Sequence, residues 1–107
     1  MTTETLICRA EIAYKRGRVR DAILYARRAL ENCAEFGQRT ALRIFIARAY
    51  SKIGKFNESN TVYRALLSEN IYIPPVIMGL LYNNFKTNVI STQKMSRNLG
   101  LIKIFVR

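Results

Sequence analysis

Ala13-Tyr14-Lys15-Arg16-Gly17-Arg18-Val19-Arg20-Asp21-Ala22 and Ala49-Tyr50-Ser51-Lys52-Ile53-Gly54-Lys55-Phe56-Asn57-Glu58-Ser59 carry one pattern twice. In each, a small residue and a tyrosine precede a glycine, an apolar residue follows two places on, and a small residue (Ala22 or Ser59) stands five places on. Apolar residues then recur at helical spacing, through Ala26, Ala29 and Leu30 in the first unit and Tyr63, Leu66 and Leu67 in the second. A glycine reaches the left-handed backbone conformation that ends one helix and turns the chain into the next. The small residue beyond it lets the second helix lie close against the first. Two antiparallel helical hairpins, stacked on one another, are the fold this pattern predicts.

Followed residue by residue, the pattern resembles the tetratricopeptide repeat, whose units of about 34 residues place small, aromatic and glycine residues at fixed offsets. In the first unit Leu6 stands where the family usually has Trp, Ala10 takes the small site, Ala13-Tyr14 the aromatic site and Val19 the apolar site after the turn. Ala22, Ala26 and Ala29 complete the second helix. The second unit places Ala47, Tyr50, Gly54, Phe56, Ser59, Tyr63 and Leu66 at matching offsets. Arg9 and Arg43 replace apolar residues, Trp is absent, and the two glycines are 37 residues apart, which assigns three extra residues to a link near Glu35-Phe36-Gly37. A weaker third unit has Gly79 and Tyr82 on its first helix and Ser91, Met95 and Asn98 on its second, with Lys86-Thr87-Asn88 in place of the turn glycine. The resemblance covers residues 5–70 well and 72–100 only loosely. It implies an all-α domain spanning 1–107, with stacked hairpins at about 4–33, 39–67 and 75–99 and a tail at 100–107.

Local signals agree with those hairpins. Thr2 and Thr3 are candidate caps for a helix from about Glu4 to Arg16, and Glu4 suits its positive end. A partner helix from about Arg20 to Cys33 carries Ala22, Ile23, Ala26, Ala29, Leu30 and Cys33 on one stripe. Helices at about 39–53 and 57–67 follow. Pro74-Pro75 blocks helix before it and favours a new start, so a helix is expected from about Pro75 to Phe85, apolar nearly all round, with a covering helix over 89–99. Leu101-Ile102-Lys103-Ile104-Phe105-Val106-Arg107 is apolar and β-branched where a repeat array normally ends in a polar cap; folding back or burial in a dimer is expected.

The chain of 107 residues carries 18 Lys and Arg against 7 acids, a net charge of +11. Lys15, Arg16, Arg18 and Arg20 cluster at the first turn and Arg27-Arg28 follow; from Asn70 onward there are five basic residues and no acid. Such a field attracts nucleic acid, acidic protein tails or anionic membrane surfaces, or simply solvates one face. Cys8 and Cys33, the only cysteines, fall in helical runs and are expected to be buried reduced thiols, which points to a cytoplasmic or nuclear address. No secretory signal or membrane-spanning run is seen, and no basic amphipathic helix with an apolar face outside the core is evident, so membrane attachment is not expected.

Chemistry has little to work with. Histidine is absent, Asp21 is the single aspartate, and no carboxylate pair is spaced for acid and base roles. Gly54-Lys55 is not a phosphate loop, because Ala49 stands where its first glycine is needed and Phe56 where Ser or Thr would meet magnesium. Neither an enzyme, a cofactor nor a metal site is expected.

The resemblance implies instead a working surface on the first helices of the hairpins: Ile7, Glu11, Tyr14 and Lys15 from the first unit, Ile44, Arg48, Ser51 and Lys52 from the second, and Val76, Leu80 and Asn83 from the third. Arg48 and Lys52 lie one turn apart, so either both meet an acidic ligand or Arg48 pairs with Glu11. Glu11 and Phe45 stand where family members that grip a chaperone's terminal carboxylate have asparagine. The expected function is therefore an adaptor or scaffold that binds an acidic peptide or a partner subunit, with a homodimer or larger complex formed through the C-terminal third. The alternative is an RNA-associated helical repeat whose Arg16, Arg18, Arg20, Arg27 and Arg28 neutralise phosphates.

Overall fold

The computed structural model describes the backbone of residues 2–99 and the side chains of residues 2–89; the expectations for Leu101–Arg107 lie outside the described residues. Within them the chain is all helical, with α1 (Thr3–Lys15), α2 (Val19–Glu31), α3 (Phe36–Lys52), α4 (Phe56–Ser68) and α5 (Pro74–Leu99). Each helix packs on the next, and α5 also touches α3. The described chain extends 57 × 32 × 16 Å.

The turns explain the hairpins. Gly17 and Gly54 both have φ +82°. At the first, Arg18 N–H donates to Ala13 C=O (2.8 Å) and Gly17 N–H to Tyr14 C=O (3.1 Å). At the second, Lys55 N–H reaches Tyr50 C=O (2.9 Å) and Gly54 N–H reaches Ser51 C=O (3.1 Å). Both are Schellman closures, in which the left-handed residue satisfies carbonyls the helix end would leave orphaned. The helix α4 ends the same way on Asn70 (φ 65°), with Ile71 N–H donating to Leu66 C=O (3.0 Å). Asparagine tolerates this conformation better than other non-glycine residues.

Other ends are closed by side chains. Thr2 accepts from Thr5 N–H at the start of α1. Glu35 caps α3, accepting from the backbone N–H of Gly37 (3.0 Å) and Gln38 (2.6 Å). The expected three-residue link at Glu35-Phe36-Gly37 is thus one capping residue and the first turn of a helix that starts three residues before Arg39. Arg39 reaches back to donate to the carbonyls of Leu30 and Cys33, both at 2.8 Å, closing α2.

Two apolar cores share α3. The first joins Leu6 and Ala10 of α1, Val19, Ile23, Ala26 and Ala29 of α2, and Leu42, Ile46, Ala49 and Tyr50 of α3. The second gathers Ala47, Tyr63, Leu66, Ile71 and Val76. Ala22, Ala26 and Ala29 are fully enclosed, so α2 is closed against its neighbours by methyl groups. Cys33 is buried as expected, whereas Cys8 is exposed on the outer side of α1; both are free thiols.

The helix α5 departs from the expected third hairpin. It runs unbroken through Lys86-Thr87-Asn88 to Leu99, twice the length of α2 or α4. The stretch lacks the glycine that ends α1 and α3, and Asn88, though of the type that ends α4 at Asn70, stays helical. Its packed face is set by a polar cluster: the amide of Asn83, fully buried, donates to Ser59 Oγ and Asn60 Oδ1 (2.8 Å each) and accepts from Ser51 Oγ (2.7 Å). Ser59 Oγ in turn donates to Ala47 C=O (2.7 Å). Every buried side-chain polar atom among the described residues is paired. One turn earlier Gly79 lies on the Tyr63 phenol so closely that a Cβ there would overlap it.

Candidate functional site

A groove of about 460 Å³ crosses α1, α3 and α5. Its sides are Tyr14 of α1, Arg48, Ser51 and Lys52 of α3, and Pro75, Met78, Gly79 and Tyr82 of α5, with Tyr63 of α4 reaching in between them. Tyr14 is propped by Phe45, the ring centroids 5.5 Å apart and tilted by 56°. Arg48 and Lys52 are exposed, and among the described residues neither has a carboxylate within 4 Å; the pairing of Arg48 with Glu11 does not form. Ser51 is tied to Asn83 and so aligns α3 with α5.

The Tyr63 hydroxyl reports on the electrostatics of this groove. Burial pushes its ionisation above the ordinary phenol range; the Arg48 charge pulls it back and Tyr14 pushes it up. The positive charge of Arg48 therefore falls on the groove's floor.

Four of the eleven expected groove residues come together here: Tyr14, Arg48, Ser51 and Lys52. Ile7 and Ile44 are half-buried against the first and second core respectively, because each apolar side chain is drawn to the nearer packed layer. Glu11 and Lys15 are exposed on α1 away from the groove lining. On α5 the expected Val76, Leu80 and Asn83 face inward, and the neighbouring row Pro75, Met78, Gly79 and Tyr82 takes the groove. The same three-and-four spacing, displaced by one residue, was available in the sequence. Only the Asn83 cluster and the Gly79 contact select between the two rows.

The basic cluster is exposed. Arg16, Arg18 and Arg20 surround the α1–α2 turn and Arg28 lies further along α2. Arg27 is committed elsewhere, donating to the Tyr50 hydroxyl with its guanidinium 5.4 Å from the Tyr50 ring centre. Among the described residues no three His, Cys, Asp or Glu side chains meet to hold a metal ion, and no helix is long and apolar enough to cross a membrane.

Fold and groove together define a class: a stack of helical hairpins with a polar-apolar channel across α1, α3 and α5. Compared with known proteins, the chain matches no family model, no curated protein and no solved structure.

Proposed function

We propose that this chain is a short tetratricopeptide-like interaction module that holds an acidic peptide segment of a partner protein in the groove across α1, α3 and α5. The observation that carries the reading is the pairing of two cations with no carboxylate partner among the described residues, Arg48 and Lys52, with an apolar wall of Pro75, Met78 and Tyr82. A carboxylate meeting both cations gains charge-assisted hydrogen bonds, while an adjacent aromatic or aliphatic side chain buries itself on the α5 wall. The repeated glycine turns and the small residues at Ala22 and Ser59 support the family reading.

Selection of a random peptide display library on the full chain tests it. Enriched peptides should pair Asp or Glu with a large apolar residue, and Arg48→Glu with Lys52→Glu should weaken them by about tenfold or more, roughly 1.4 kcal/mol, without lowering Tm. Enrichment that survives the charge reversal would move the binding site off this groove.

A nucleic-acid reading draws on Lys15, Arg16, Arg18, Arg20 and Arg28, which have no ion pairs among the described residues. Five phosphate contacts would give a log-log salt slope of about −4 to −5, far steeper than an apolar-anchored peptide shows.

A further inference from the structure

The outer side of α5 is an apolar ridge. Ile77, Leu81, Phe85 and Val89 follow one another every four residues, 39%, 58%, 63% and 36% exposed, with Met78 and Tyr82 beside them at 63% and 52%. Row spacing of this kind is the ridge that helices interlock when they pack. From Ile77 to Val89 it runs about 18 Å, close to the length of a 13-residue helix such as α2 or α4. The preceding first helices, α1 and α3, are each followed by a 13-residue helix folded against them, whereas among the described residues nothing follows α5 onto this side. The helix that the sequence showed as apolar nearly all round therefore leaves, among the described residues, an apolar face outside the core.

Charge narrows what covers it. Lys86 flanks the ridge, its ammonium 5.6 Å from the Tyr82 ring centre, and beyond Tyr82 stand Lys52 and Arg48 across the groove. From Asn70 onward the chain has no acid at all, and it carries +11 overall. A second copy would oppose two strongly positive bodies. An anionic bilayer would need a broad field of cations level with the ridge, yet among the described side chains Lys86 alone flanks it, while Arg48 and Lys52 stand across the groove and Arg16, Arg18 and Arg20 belong to the first hairpin. A helix with one apolar stripe and acidic flanks satisfies shape and charge together.

We propose that the outer face of α5 docks an acidic amphipathic helix of another protein, laid where a third hairpin's second helix would lie, with Leu81 and Phe85 at its centre. Through Met78 and Tyr82 this face is continuous with the groove, but it does not depend on what the groove holds.

The test uses the full chain and a labelled peptide of about 18 residues with leucines at helical three-and-four spacing and glutamates on the flanks. Its lysine-flanked twin and a scramble of the acidic sequence are the controls. The acidic helix should bind about tenfold tighter than either control. Leu81→Ala with Phe85→Ala, both at exposed positions, should remove that preference with little change in Tm, while Arg48→Glu with Lys52→Glu should keep most of it. Equal binding of the scramble, or binding untouched by the alanine pair, overturns the proposal. So does a free chain that sediments as a dimer until the alanine pair is introduced, which would give the face to a second copy. Binding to phosphatidylserine vesicles that the alanine pair abolishes would give it to a membrane and overturn the proposal likewise.

Discussion

Tyr63 stands where α3, α4 and α5 converge, its ring almost fully enclosed and its phenol under Gly79. Burial disfavours the phenolate and raises its ionisation, and Arg48 offsets part of that rise. Removing the cation with Arg48→Ala should therefore move the Tyr63 transition further upward in an alkaline titration followed at the ring carbon by NMR. No change, or a fall, would place the guanidinium away from the groove floor. The sign for stability follows: a phenol held protonated in the fold stabilises it below the unfolded pKa, and this contribution is lost as pH climbs through the folded value. Ser59 and Asn83 show what one-residue reading misses. Ser59 answers the small-residue requirement of its offset, yet its hydroxyl also links Ala47 to Asn83. Nothing local to either residue announces a partner more than twenty positions away.

The helix ends are governed by a few local residues, and so were the most legible features. Gly17→Val and Gly54→Val should each cost roughly 1–2 kcal/mol, because a β-branched residue resists the left-handed turn. On a domain of this size that is a fall of several degrees in Tm. Asn70→Gly should leave Tm unchanged or raise it, since the turn at Asn70 already has the left-handed backbone. Unchanged melting in both valine variants would break the hairpin register. Asn70 itself was not anticipated, although asparagine is the usual substitute for glycine at such a stop. Glu35 likewise escaped notice as a cap, because Phe36 and Gly37 behind it suggest a link rather than a first turn. The unbroken α5 shows the converse: a third hairpin inferred from spacing alone does not form where the turn glycine is missing, and Asn88 in its place stays helical.

Across the whole molecule, cohesion passes from neighbour to neighbour. The radius of gyration of 16.9 Å exceeds the roughly 13 Å of a compact domain of about 100 residues, as expected when each hairpin touches only the next. The helix α3 belongs to both cores, with Leu42, Ile46, Ala49 and Tyr50 in one and Ala47 in the other. Native-state hydrogen exchange should accordingly be slowest in α3 and faster in α1, which has a packed neighbour on one side only. Equal protection in α1 and α3 would mean that the stack opens as one unit.

The repeated pattern around Gly17 and Gly54 determined the helical class, the two complete hairpins, most of their buried stripes and four residues of the groove, Arg48 and Lys52 among them. Those features depend on backbone conformation and helical period, which neighbouring residues dictate. The α5 row that completes the groove, the inward turn of Ile7 and Ile44, the exposure of Cys8 and the open ridge of Ile77, Leu81, Phe85 and Val89 were decided only in the tertiary structure. Each depends on how one helix is rotated against another. Hydrogen bonds such as Asn83 to Asn60 and close contacts such as Gly79 on Tyr63 choose that rotation, and they exist only once distant segments meet.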